Sequence, residues 1–182
     1  MAGDDVCYYK PWWEMRHPSE AEPSSPQLAR WQMDHTALVT RYANGLVGGE
    51  IFREDYIALD SPPVSGKIDL AHTAEGYADI FEMKSGKKSH SHYVQLLLYL
   101  FLANRANRFP NLKLRGHLVY EDSTSGATLA DVPEDFSERI TVHTDPLLSE
   151  APPRKIRNQA CRYCPAECEF AARRATDAGS SA

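Results

Sequence analysis

The longest stretch of this chain without Asp, Glu, Lys or Arg runs from Ser89 to Asn104. Its second half is apolar on nearly every side, with Val94, Leu96, Leu97, Leu98, Leu100, Phe101 and Leu102. A helix of that kind has to be covered by other structure. It cannot find that cover in a bilayer, because its first half is polar and the run is too short to span one. The spacing predicts a buried helix over roughly His90–Asn107. Its polar residues are ordered: Lys88, His92, Gln95 and Tyr99 fall at i, i+4, i+7 and i+11, on one face. Such a line either faces solvent or must meet polar partners, since each unsatisfied buried group costs about 1–3 kcal/mol.

What covers that helix is written upstream. Ser25 followed by Pro26 is a strong helix start, and Gly45 a reasonable stop. Between them Leu28, Trp31, Leu38, Val39 and Tyr42 recur at helical spacing, with His35 inside the stripe. From Gly49 the period changes to that of strands, predicted at Glu50–Leu59, Val64–Ala71 and Tyr77–Lys84. Turn residues separate them, so they are expected to form an antiparallel meander. Two further strands are expected at Lys113–Tyr120 and Arg139–His143, with an acidic loop, Glu121–Glu138, between them. Helices flanking a mixed central sheet give an α/β fold with a core of residues 27–145. Residues 1–26 read as an aromatic, turn-rich arm, and residues 146–182 as a Pro-rich, cysteine-bearing segment and tail.

Chemistry concentrates on two of the strands. Gly66-Lys67-Ile68-Asp69 is followed by Glu82-Met83-Lys84. Side chains two apart share a strand face, so Ile80, Glu82 and Lys84 point one way and Phe81 and Met83 the other. Asp69 and Glu82 are expected to converge at one edge of the sheet. Two close carboxylates repel unless a cation sits between them. Oxygen ligands of this type suit Mg²⁺ or Mn²⁺. A lysine beside them can orient a water or neutralise charge developing on a phosphate. That is the equipment of metal-dependent phosphodiester hydrolysis. The plainer alternative is an exposed Glu–Lys pair with Asp69 at a turn. His35 could add an imidazole ligand, tilting preference toward Mn²⁺, or be a core histidine with a single hydrogen bond.

Four cysteines are unevenly placed: Cys7 near the start, then Cys161, Cys164 and Cys168. The acidic start, Met1-Ala2-Gly3-Asp4-Asp5, has no apolar run, so a soluble cytoplasmic protein with reduced thiols is expected. There a four-thiolate metal site fits better than two disulfides, and it could hold either [4Fe–4S] or Zn²⁺.

Together these residues resemble the RecB-like branch of the PD-(D/E)XK nucleases, a restriction-endonuclease-like fold. The matching pieces are His35 on a helix, Gly66-Lys-Ile-Asp69, Glu82-Met-Lys84, and Gln95-Leu-Leu-Leu-Tyr99 on the following helix. The resemblance implies His35, Asp69, Glu82 and the Met83 carbonyl as ligands of Mn²⁺ or Mg²⁺. It implies Lys84 as the catalytic lysine, with Gln95 and Tyr99 supporting the site or touching DNA. One cysteine before the core and three after it look like the CRISPR-associated exonucleases of Cas family four. That layout implies a [4Fe–4S] cluster on Cys7, Cys161, Cys164 and Cys168, in a small subdomain built from both termini. The gap between Cys164 and Cys168 is shorter than the family's usual one. The function implied is digestion of single-stranded DNA from an end, in the trimming of prespacers beside the CRISPR integrase, an antiviral role. A stand-alone repair or phage-type nuclease is the alternative within the same fold. A non-catalytic DNA-binding scaffold is the alternative outside it.

The charge balance at first counts against DNA. The chain carries 20 Lys+Arg against 25 Asp+Glu, a formal net charge of −5. However, residues 1–26 hold five acids and two bases, and the 121–138 loop holds six acids and no base. The remainder is mildly basic and includes candidate backbone contacts at Lys87, Lys88, Arg105, Arg108, Arg154, Lys155, Arg157, Arg173 and Arg174. Tyr8, Tyr9, Trp12 and Trp13 are expected either to stack on unpaired bases or to pack the arm over the cysteine cluster.

Overall fold

The computed structural model describes residues 6–18, 25–159, 161 and 164–170. They divide into two compact units, one of residues 23–138 and one combining residues 1–22 with 139–182. Among the described residues no helix is long and apolar enough to cross a membrane.

In the larger unit, helix α2 (Pro26–Asn44) starts where the sequence predicts, the Ser25 side chain accepting from the Leu28 N–H. Strands β1 (Glu50–Asp60), β2 (Pro63–Ala74) and β3 (Tyr77–Lys84) form the expected antiparallel meander. Helix α3 (His90–Arg105), capped by Ser89, then carries the chain to β4 (Lys113–Tyr120), which pairs parallel to β3. A parallel pair needs a crossover of this length, and the helix provides it. With β5 (Thr124–Thr128) beside β4, the five-stranded sheet has the order β1-β2-β3-β4-β5 and is mixed.

The layers follow from side-chain alternation. On one face Leu38, Val39 and Ala43 of α2 pack with Leu70, Phe81, Met83 and Val119. On the other face α3 lies against β1 to β4. Leu96, Leu100 and Leu102 are fully buried there, as an all-round apolar helix requires. Two glycines let α3 approach closely. A Cβ on Gly116 would stand 3.0 Å from the Leu96 side chain, and one on Gly66 would stand 2.6 Å from the Tyr99 ring.

Three expectations need correction. The acidic stretch after Tyr120 is not one loop: it contains β5 (Thr124–Thr128), antiparallel to β4, and a 3₁₀ turn at Leu129–Asp131. Its sequence, Thr-Ser-Gly-Ala-Thr, buries only Ala127, so it shows no apolar alternation. Arg139–His143 is not a strand but the middle of helix α4 (Phe136–Leu148). The β-branched run Ile140-Thr141-Val142 suggests a strand. Yet Phe136, Ile140 and Leu147 recur at helical spacing, and Phe136 is buried against Phe101 of α3. The arm is not only turns: α1 (Tyr9–Arg16) occupies it. Pro11 is tolerated there because N–H groups of a first helical turn have no intrahelical partner to lose.

In the smaller unit the aromatics of α1 pack onto the C-terminal segment. Trp12 Nε1 donates to the Ser149 carbonyl at 2.8 Å, and Arg16 donates to the Leu147 and Ser149 carbonyls while lying over the Trp12 ring. The Tyr9 hydroxyl donates to the Glu167 carbonyl at 3.1 Å.

A second polar cluster lies on β3 and β4. Asp79, buried, accepts a bidentate pair from Arg115 at 2.7 and 2.7 Å, and lies 2.7 Å from His117 Nε2. Burial alone would raise this carboxyl, but the Arg115 and His117 bonds outweigh it and hold it below its ordinary value. A depressed carboxyl stabilises the fold above its unfolded-state pKa, and that contribution disappears as pH falls through the folded value. Asp79→Asn is therefore expected to lower the urea midpoint at pH 6. The gap to wild type should close as pH drops below about 4, the ordinary carboxylate range. A gap independent of pH would show that the ionised carboxylate is not what matters.

Candidate active site

The site forms where β2 and β3 part. Their ladder runs up to Leu70 opposite Phe81 and stops. One more step in that register sets Asp69 opposite Glu82. The ladder to β1 also skips this place: Arg53 pairs with Leu70 and Asp55 with Ile68, while Glu54 between them has a positive φ of 51°. Asp69 thus sits mid-strand, at an interruption of both its ladders, rather than at a strand end.

Asp69 fills the gap it opens. Its Oδ2 accepts the Met83 N–H at 2.8 Å, a group left without a strand partner by the parting. Its Oδ1 lies 3.3 Å from His35 Nε2 on α2. Glu82 is 1% exposed and forms an ion pair with Lys84, yet among the described residues its Oε2 is buried with no hydrogen-bond partner. Burial, reinforced by the Asp69 charge and opposed by Lys84, pushes its carboxyl up to about 7.

Lys84 is held from two sides. Besides Glu82, its Nζ donates to Gln95 Oε1 at 3.0 Å, and Gln95 Nε2 donates to the Tyr99 hydroxyl at 2.8 Å. Burial and the Glu82 charge push Tyr99 up to about 12, so it stays a neutral hydroxyl. The polar line on α3 therefore has polar partners at its centre. Further toward the start of α3, His92 Nδ1 and the Tyr120 hydroxyl share a hydrogen bond of 2.9 Å, with Tyr120 beside Lys84 in the sheet register. Lys88 turns outward to Asp122 at 3.4 Å. Tyr120 carried no sequence signal as a site residue, because it reads as the apolar end of a strand.

His35, Asp69, Glu82, Lys84, Gln95 and Tyr99 are thus brought together by α2, β2, β3 and α3. Among the described residues no three His, Cys, Asp or Glu side chains close into a group that could hold a metal ion as they stand. The acids instead turn to Lys84 and the Met83 N–H. The four cysteines are partly buried and unpaired. Of the basic candidates, Arg108 is bound by Asp55 at 2.8 and 3.0 Å and Lys155 by Glu169 at 3.0 Å. Arg173 and Arg174 lie outside the described residues.

A mixed sheet between helices, with an acid–acid–lysine cluster where two strands part, defines a nuclease-type α/β core. A family model described as "PD-(D/E)XK nuclease superfamily" matches residues 3–168, and the chain belongs to that superfamily. Among solved structures, one titled "Crystal structure of SSO0001" is 15% identical. It aligns over 86% of this chain and 91% of its own, with a TM-score of 0.42. No curated protein matches the chain.

Gly66 gives a direct test of the α3 side of the site. A side chain there must push Tyr99 aside, since the Cβ alone would stand 2.6 Å from its ring. Gly66→Val is expected to cost about 1–3 kcal/mol in urea unfolding. The same substitution at Gly86, where a Cβ meets nothing within 4 Å, should cost far less.

Proposed function

We propose that this chain is a metal-dependent DNA exonuclease that digests single-stranded DNA from an end. The observation that carries the reading is the buried, unpartnered Oε2 of Glu82 beside Asp69, with a fixed ammonium two residues on. Two carboxylates that repel, one with an unsatisfied oxygen, fit a hard divalent cation. Asp69, Glu82, His35 and the Met83 carbonyl would hold Mn²⁺ or Mg²⁺, which supplies Lewis-acid charge at the phosphate being cut.

The chain's own residues do the rest. Lys84, positioned by Glu82 and Gln95, keeps a positive charge where negative charge develops on the phosphate. Tyr99 accepts from Gln95 and so keeps its own O–H free to donate. Asp69 ties the backbone of the Glu-Met-Lys segment to β2 through the Met83 N–H, which holds the two acids in register.

The cysteine layout supports two finer parts of the reading. The segments bearing Cys7 and Cys161, Cys164 and Cys168 fall in one compact unit, and all four thiols are free. A [4Fe–4S] cluster on them would close a loop as long as the whole core, stabilising it by a few kcal/mol, by analogy with a disulfide. In that reading the exonuclease trims prespacers in CRISPR adaptation, beside the integrase complex.

Two measurements test this. End-labelled single-stranded DNA with Mn²⁺ should be degraded by wild type, and Lys84→Ala should lower kcat by about 10²–10³. Equal rates in the two proteins would sink the catalytic assignment. For the cysteines, the purified protein should be brown with broad visible absorption that Cys161→Ala abolishes. A colourless protein carrying stoichiometric zinc would refute the iron–sulfur assignment.

A further inference from the structure

The stripe of α2 that faces the sheet does not end where the core ends. Leu38 and Val39 are buried, at 5% and 8% exposure. One turn earlier on the same face stands His35, against Asp69. Another turn earlier stands Trp31, which is 52% exposed, and then Leu28, also exposed. The sequence pattern makes no break between these residues, so an indole and a leucine are presented, about half exposed, on a core-type face beyond the point where the sheet buries it fully.

Trp31 is not loose at the surface. Its ring stacks on the His35 imidazole, with centroids 5.6 Å apart and planes inclined by 15°. One ring face is engaged by His35 and half the side chain is left to solvent. A flat, aromatic, orientated surface thus begins next to the acidic site. The phosphate of a strand bound at Asp69, Glu82 and Lys84 has its own base close by, and an unpaired base has a bare π-face to stack. A base inside a duplex has both faces covered by its neighbours, and at a blunt end only the outer face of the last pair is bare, so a duplex offers less to stack.

We infer that Trp31 is the stacking platform for an unpaired nucleobase of the strand being cut, and that it underlies a preference for single-stranded over duplex ends. The inference rests on the nuclease reading above and deepens it. Trp31 is a substrate-binding residue, and its contact with His35 fixes the orientation of the platform.

The test uses the full chain with Mn²⁺ and three labelled substrates: a single strand, a blunt duplex, and a single strand whose terminal three nucleotides are abasic. Base–aromatic stacking is worth about 1–3 kcal/mol per base, so Trp31→Ala is expected to raise KM for the single strand about 10-fold or more. Its kcat should change little, and Trp31→Phe should restore most of the loss. The abasic strand should already have a high KM with wild type, and Trp31→Ala should raise it no further. The preference for single strand over duplex should shrink in Trp31→Ala.

An unchanged KM in Trp31→Ala overturns the inference while leaving the nuclease reading intact. So does a fall in kcat shared by the abasic strand, which would make Trp31 only a support for His35. A change of oligomeric state by sedimentation with KM unchanged would assign the face to a second copy instead, and also overturns it. If wild type cuts none of the substrates, the nuclease reading fails. Fluorescence anisotropy of the labelled single strand on Lys84→Ala and on Lys84→Ala/Trp31→Ala still decides the stacking: equal affinity refutes it, and a 10-fold loss confined to the strand with bases supports it.

Discussion

An apolar helix carrying one polar line has to be covered on its apolar sides and has to give that line something to bond. In α3 these two demands settle much of the architecture. Leu96, Leu100 and Leu102 are buried on the sheet, and Gly66 and Gly116 let the helix come close. The polar line then meets the sheet where Lys84 and Tyr120 stand side by side, and Gln95 and His92 bond to them. Because α3 is also the crossover between β3 and β4, the same element that buries the core makes the sheet mixed and aims β3's polar end at its own polar face.

The site itself is a set of local costs accepted by that scaffold. Two strands part, Asp69 is left unpaired in both ladders of β2, and Glu54 takes a left-handed backbone conformation. Asp69 recovers one of the stranded backbone groups by accepting the Met83 N–H. Glu82 is the larger expense. A carboxylate with a buried, unpartnered oxygen next to another carboxylate is destabilising in any dry environment. Lys84 offsets only part of it. Asp79 makes the contrast within the same strand: its oxygens are satisfied by Arg115 and His117, and its carboxyl is held low rather than pushed up. One acid has its oxygens satisfied by Arg115 and His117; the other keeps one oxygen without a partner among the described residues.

Much of this was legible in the chain. The Ser25–Pro26 cap, the meander, the charge-free helix and the parallel strand after it appear within a residue or three of their predicted places. Each rests on a local signal: a cap, a turn or a period. The spacing of Asp69, Glu82 and Lys84 likewise pointed to a convergence, though it lies where two interior strands part rather than at a sheet edge. The failures share a cause. β5 is built of small polar residues and is a strand only because β4 offers it a partner. Helix α4 contains a β-branched run whose strand preference yields to the packing of Phe136 on Phe101. The aromatics of the arm have two uses that look alike in sequence, and only the bonds of Tyr9 and Trp12 to distant carbonyls show them holding the smaller unit together.

By itself, then, the sequence determined which segments are helix or strand wherever a period or cap is strong, and which residue types the site contains. Those are properties of neighbours along the chain. Tertiary structure decided which side chains satisfy one another: that Asp69 takes the Met83 N–H, that Tyr120 completes the polar line, and that Glu82 keeps an oxygen with no partner among the described residues. It also decided where burial stops. The α2 stripe reads as a single apolar face from Leu28 to Tyr42, yet full burial begins only at Leu38. A pattern of apolar spacing says which face seeks cover; only the packed sheet sets how far that cover extends.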